Sequence, residues 1–232
     1  MTGLLALLGG QEHTPGCESI DRRLLEEARH DAPRVAVVLA ATTPRRRAFK
    51  TNEAKTYWNG LGVDVDFAMN GGPKETERAM AALEDPDIVV MTGGHPWLLH
   101  ARLDGSPVLK RILELWEGGV PLSGSSAGAI ALCEWRQHLQ PPRPFRLVRA
   151  FGLVRGCAAA PHFDRYGLDR WAWQVSKRNP QLRILGLNDR TALVGRDGEF
   201  TVYGASSVAV LENQRLTRLP RRGSLQLAMT TM

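Results

Sequence analysis

Ser126 lies in the run Val120-Pro121-Leu122-Ser123-Gly124-Ser125-Ser126-Ala127-Gly128-Ala129-Ile130-Ala131-Leu132, where a short apolar segment enters a G-x-S-x-G turn and leaves into an apolar, helix-forming stretch. That is the layout of a nucleophile elbow. Small residues at Gly124 and Gly128 permit a sharp strand-to-helix turn that pushes the Ser126 hydroxyl out to where a substrate carbonyl can reach it. A serine-rich turn can also simply cap a helix, so the motif takes its chemical meaning from the strand before it and the helix after it.

A serine hydroxyl is a weak nucleophile until a neighbouring base takes its proton. Among six histidines, His162 in Ala159-Ala160-Pro161-His162-Phe163-Asp164-Arg165 follows an apolar stretch and fits a base delivered by a later strand end. A surface histidine is the plain alternative. In Met91-Thr92-Gly93-Gly94-His95-Pro96-Trp97 a strand runs into paired glycines and then a helix. Paired glycines let a backbone N–H face a reacting oxygen unobstructed. If the two loops are neighbours, the N–H groups of Gly94 and Ala127 form an oxyanion hole; a tight turn or a phosphate-holding loop is the alternative, although the full G-x-G-x-x-G pattern is missing. His95 is placed to touch substrate rather than to act as the base. His95 and His100 are one residue too far apart for an H-E-x-x-H zinc site, so no metal is expected.

These groups need strands to carry them. Apolar, β-branched runs recur at Leu4–Leu8, Arg34–Ala40, Val63–Ala68, Asp87–Thr92 and Val120–Ser123. Helical spacing fills Ser19–Arg29, Ala48–Leu61, Lys74–Leu83, Val108–Trp116 and Ala127–Trp135 between and after them. The alternation predicts an α/β fold, a three-layer α/β/α sandwich with a mostly parallel central sheet. In such sheets ligands bind beyond the carboxyl ends of the strands, where both glycine-bearing loops fall. After about Gly152 short strands at Leu182–Leu187, Thr191–Gly195, Phe200–Tyr203, Ser207–Leu211 and Arg215–Leu219, with turns such as Arg196-Asp197-Gly198, predict antiparallel pairing. The run Gln140 to Arg146 carries three prolines and predicts an exposed loop or lid. The polar end, Arg221 to Met232, predicts a frayed terminus.

The 232 residues read most simply as one domain, residues 1–232. No apolar run is long enough to cross a bilayer, the opening segment lacks a basic leader, and the expectation is a soluble, cytoplasmic protein with no membrane partner. Cys17, Cys133 and Cys157 are odd in number and lack C-x-x-C spacing, which predicts reduced, partly buried thiols rather than a disulfide framework. A net charge of +6 invites a nucleic-acid reading. The arginines are scattered without interleaved aromatics, so the expectation is solvated faces and no nucleic acid.

The ordered set Leu7-Leu8-Gly9-Gly10, Thr92-Gly93-Gly94, Gly124-Ser125-Ser126-Ala127-Gly128-Ala129, Pro161-His162-Phe163 and Gly186-Leu187-Asn188-Asp189-Arg190-Thr191-Ala192-Leu193 resembles peptidase family S51 across nearly the whole chain. The family contains serine peptidases of the dipeptidase E type, which act on Asp-X dipeptides, and cyanophycinases. The resemblance implies a flavodoxin-like fold, Ser126 as nucleophile, His162 as base and Gly94 with Ala127 as oxyanion donors. It also implies no cofactor, a short peptide as substrate and Asp189 as a substrate contact. A homodimer stays open as the assembly.

The departures concern the third member of the triad. Family members place an acid after the nucleophile helix, whereas Gln137-His138-Leu139-Gln140-Pro141-Pro142 holds none. Glu134, the single acid between Ser126 and His162, is the first choice, with Asp164 as the alternative. Ala160-Pro161 and Pro96 stand where cyanophycinases carry polar residues, which argues against cyanophycin. The leading expectation is a serine peptidase of short peptides, the arginines flanking the proline-rich loop selecting an acidic residue. The alternatives are a catalytically degenerate binding protein and an amidase.

Overall fold

The computed structural model describes residues 1–137, 146–166 and 169–230, leaving aside the side chains of 169–171. The predicted loop over Gln140–Arg146 thus falls almost wholly outside the described residues. The elements in chain order are β1 (Leu5–Leu8), α1 (Glu18–Leu25), β2 (Arg34–Val38), α2 (Pro44–Gly60), β3 (Asp64–Ala68), α3 (Pro73–Ala82) and β4 (Ile88–Met91), followed by α4 (Pro96–Leu103), α5 (Pro107–Glu117), β5 (Leu122–Ser125) and α6 (Ala127–Leu132). The second half holds β6 (Cys133–Gln137), β7 (Leu147–Arg149), β8 (Val154–Pro161), α7 (Asp169–Arg178), β9 (Arg183–Leu187), β10 (Thr191–Arg196), β11 (Glu199–Gly204), β12 (Val208–Glu212), β13 (Arg215–Leu219) and β14 (Ser224–Gln226). Helices α2 to α5 each start on a proline, whose fixed φ suits the first helical position and whose missing N–H would be unpaired there anyway. Ser106 adds a cap to α5, accepting from the Leu109 N–H at 3.2 Å.

The main sheet runs β14-β11-β10-β1-β5-β4-β2-β3. Its five strands from β1 to β3 are parallel, and β10, β11 and β14 extend it antiparallel. Alternate side chains of β1 serve two cores. Leu4, Ala6 and Leu8 pack with Ile20 and Leu24 of α1 and Trp58 of α2, while Leu5 and Leu7 face the core shared with α3 to α6. Each such fully buried leucine contributes about 2 kcal/mol of transfer free energy.

The C-terminal strands do not all extend this sheet, as antiparallel turns alone would suggest. A second sheet, β13-β12-β9-β8-β6-β7, lies in the α3–α6 layer, and Cys157, Ala159, Leu185, Leu187, Val208 and Val210 join the same core as Leu5 and Leu7. β6, β8 and β9 are parallel, with α7 as the β8-to-β9 crossover packing Ala172 and Val175 on Ala158, Ala160 and Ile184.

Two further expectations are corrected. The helix expected over Ala127–Trp135 stops at Leu132, because Cys133 turns to extended backbone and Cys133–Gln137 gains ladders with β7 and β8. The end of the chain is docked as far as residue 230: β14 pairs β11, Leu227 is buried, Met229 bridges Val154 and the Thr230 N–H donates to Leu153 O at 3.0 Å.

Candidate active site

Three loops meet beyond the carboxyl ends of β1, β4 and β5, which pair in register with Leu8 opposite Ser125 and Met91 opposite Gly124. Ser126 is the first residue after β5 and has φ 49° and ψ −102°, a conformation that costs an L-residue about 1–3 kcal/mol. The fold holds it there from both sides. The Ser126 N–H donates to Leu8 O at 2.9 Å, and Ser126 O accepts from the Ile130 N–H one turn into α6 at 3.0 Å. The flanking glycines are required by contact: a Cβ on Gly124 would stand 2.7 Å from Gly128 C, and one on Gly128 would stand 2.5 Å from Met91 O. The G-x-S-x-G spacing is therefore the footprint of an elbow folded back on itself against β4.

β8 and β9 supply the facing groups. Their register sets Pro161 opposite Leu187, so that His162 follows one strand end by one residue and Asp189 follows the other by two. The His162 N–H donates to Gly9 O at 3.0 Å and the Arg190 N–H donates to Gly10 O at 2.9 Å, which ties both strand ends to the loop after β1. A bonded chain results. Ser126 Oγ is 3.0 Å from His162 Nε2, His162 Nδ1 is 2.5 Å from Asp189 Oδ1, and Arg165 donates to Asp189 Oδ2 at 3.0 Å. The Asp164 carboxylate accepts from the Asp189 N–H at 3.2 Å, so it supports Asp189 from its backbone instead of meeting the imidazole. Gly10 has φ +141°, and a side chain there would overlap the His162 ring.

Two sequence expectations are corrected by this arrangement. Glu134 is on β6 rather than late in the nucleophile helix, and its carboxylate accepts from the Gly156 N–H at 2.6 Å and from the Arg149 guanidinium, which itself lies over the Trp135 ring. Both of its carboxylate oxygens are engaged within the second sheet. Asp189, expected to touch substrate, is buried behind His162.

The cavity in front of Ser126 and His162 has a volume of about 450 Å³. Gly93, Gly94 and His95 form one wall, and Ala41, Thr42, Thr43, Arg46, Phe49, Lys50 and Glu53 form another. The Ala127 N–H opens α6 and so has no acceptor within the helix. Gly94 has φ +144° and packs so close to Ala41 that a Cβ would stand 2.8 Å from Ala41 C. His95 is exposed at the N-cap of α4. Among the described residues, Arg136 and Arg149, two of the arginines expected to line the substrate path, are on β6 and β7 of the second sheet, and the cations at the cavity are Arg46 and Lys50 of α2; Arg143 lies outside the described residues.

Glu12 went unnoticed in the sequence. It is buried on the loop after β1 and also lines the cavity. Oε2 accepts from Ser125 Oγ at 2.7 Å, Oε1 accepts from the Gly93 N–H at 3.0 Å, and Lys50 Nζ stands 3.6 Å from Oε1. Burial pushes this carboxyl up, but Lys50, the Ser125 hydroxyl and His13 together hold it below the ordinary glutamate range. Gly9-Gly10 at a strand end was its only sequence signal.

Among the described residues no helix is long and apolar enough to cross a membrane. The model of peptidase family S51 matches residues 4–203. Two cyanophycinases, from Synechococcus elongatus and from Thermosynechococcus vestitus, are each 28% identical over 158 residues, covering 65% of this chain and 49% of theirs. The chain thus aligns with about half the length of these curated relatives. The crystal structure of a peptidase from an acI-B1 Actinobacterium superposes with a TM-score of 0.84 at 22% identity, over 97% of both chains. That of a protein assigned as peptidase E from Listeria monocytogenes EGD-e gives 0.66 at 19% identity, over 89% of this chain and 100% of the other.

Proposed function

The chain belongs to peptidase family S51, and we propose that it is a serine peptidase that cleaves short peptides with Ser126 as nucleophile, His162 as base and Asp189 as the acid that orients the base. The observation that carries the reading is the unbroken chain of contacts from Ser126 Oγ through both nitrogens of His162 to Asp189, at 3.0 and 2.5 Å. His162 Nε2 takes the proton as Ser126 Oγ attacks the peptide carbonyl, and Asp189 holds the tautomer that keeps Nε2 free to accept it. The oxyanion rests on the N–H groups of Gly94 and Ala127. His162 returns the proton to the leaving amine, and water, activated by the same imidazole, hydrolyses the acyl-enzyme.

A cavity of about 450 Å³ suits a ligand of a few residues rather than a folded chain. The cyanophycinases are similar to this chain, but Pro96 at the start of α4 and Ala160-Pro161 at the end of β8 stand in place of the polar residues of that group, which favours short peptides of the Asp-X kind. Lys50 is engaged by Glu12 and Glu53, so Arg46 is the cavity-lining cation with no carboxylate partner among the described residues and would receive an acidic substrate group. His95, exposed at the cavity beside Gly94, would contact the substrate. Asp189 also supplies the carboxylate whose absence after α6 would favour a non-catalytic binding protein.

The test is a panel of dipeptides and of N- or C-blocked peptides offered to the wild type and to Ser126→Ala. Hydrolysis of free dipeptides by the wild type, lost in the variant with folding intact, supports the reading. Unchanged turnover in Ser126→Ala ends it.

A further inference from the structure

Glu12 is placed between the two peptide segments on which the oxyanion reading depends. One carboxylate oxygen holds the N–H of Gly93, the residue before Gly94, and the other holds the hydroxyl of Ser125, the residue before Ser126 and Ala127. Gly93 is on the loop after β4 and Ser125 is the last residue of β5, and Glu12 reaches both from the loop after a third strand, β1. The local backbone is set for this: Gln11 and His13, on either side of Glu12, have φ of 62° and 60°, in the left-handed region that non-glycine residues seldom occupy. The space beside residue 93 is tight as well, since a Cβ there would stand 3.2 Å from both Glu12 Oε1 and the Ser126 Cβ. Glu12 is thus in contact with the floor of the site without lying in the line of proton transfer.

We propose that Glu12 is a positioning residue that fixes the Gly94 and Ala127 amides relative to each other, so that the oxyanion hole is formed before substrate arrives. Lys50 balances the buried charge at 3.6 Å and is itself held by Glu53 at 2.5 Å, so the tie extends to α2 and the cavity wall. Hydrogen-bond donors stabilise a transition state to the extent that they are already oriented when charge develops. The proposal rests on the serine reading above and adds to it the reason the hole keeps its shape.

The experiment measures a fluorophosphonate probe on the full chain, recording both the endpoint stoichiometry at Ser126 and the second-order rate constant of the labelled fraction, beside kcat and KM on the best dipeptide. In Glu12→Ala the endpoint should stay near one per chain while the rate constant and kcat fall together by about 10- to 100-fold, with KM little changed. Glu12→Gln should recover the rate to within about 3-fold, because its amide oxygen can accept from Gly93 and its NH₂ can donate to the Ser125 hydroxyl. Where Glu12→Ala does not fold, Ser125→Ala removes one of the two bonds and should lower the rate constant by roughly 3- to 10-fold at full endpoint. An unchanged rate constant, or a reduced endpoint with the labelled fraction reacting at the wild-type rate, overturns the positioning role and leaves the serine reading standing. No labelling of the wild type, with peptide hydrolysis persisting in Ser126→Ala, overturns both.

Discussion

His162 Nδ1 lies 2.5 Å from Asp189 Oδ1, a contact between residues 27 positions apart that exists because β8 and β9 are paired in parallel with Pro161 opposite Leu187. The helix α7 that separates them in sequence is what makes a parallel pairing possible. Shifting that register by one residue would turn the acid away from the imidazole.

The first prediction follows from this contact. Asp189→Asn should lower kcat by about 10³- to 10⁴-fold, since the amide NH₂ can donate to His162 Nδ1 and leave the ring proton on Nε2, the tautomer that cannot accept from Ser126. Glu134→Gln should leave kcat within about 3-fold, because Glu134 serves Gly156 and Arg149 on the second sheet. Steady-state kinetics on the two variants check both; the reverse order of effects would move the acid of the triad to Glu134.

How far the site was legible in the sequence follows from how local each part is. The elbow at Ser126 and the Gly93-Gly94 loop were readable because each is a contiguous run of small residues between an apolar strand and a helix, a pattern that needs no knowledge of what it touches. Glu134 was misjudged because Leu132-Cys133-Glu134-Trp135 continues a helical pattern, whereas pairing with β7 and β8 turns it into strand. Asp189 and Glu12 depend on strand register and on which strand ends adjoin, and no local periodicity encodes either. The succession of the first five strands and their helices along the chain was readable because each is a contiguous apolar run or helical pattern, whereas their order in the sheet, with β5 and β4 between β1 and β2, was not.

Gly10→Ala is predicted to disable the site without touching a reacting group. The residue has φ +141°, and an added methyl would overlap the His162 ring while standing 2.9 Å from Asp189 Oδ1. The expected outcome is a loss of about 1–3 kcal/mol in stability together with at least a 100-fold lower kcat. Thermal unfolding and kinetics measured on the same sample would show it. Full activity in a folded Gly10→Ala would mean that His162 does not occupy this position during turnover.

A pH-dependent prediction comes from α1. Burial raises the Asp21 carboxyl from 3.8 to about 7, although the Tyr57 hydroxyl donates to it at 2.6 Å and opposes the shift. Between those two values the folded chain binds more protons at this site than the unfolded chain, so its contribution is present below pH 3.8 and is lost as pH rises towards 7. Asp21→Asn removes that dependence. Its stability relative to wild type in urea unfolding should rise from pH 4 to pH 8 by an amount on the order of a few kcal/mol. A difference that stays constant across that range would contradict the raised carboxyl.

The central claim, that His162 and Asp189 make Ser126 the nucleophile, is tested most directly by locating the fluorophosphonate adduct by mass spectrometry in the wild type and in His162→Ala. The account predicts one adduct per chain on Ser126, formed at least 100-fold more slowly in the variant. An adduct on another residue, or equal labelling rates with and without the imidazole, would contradict it.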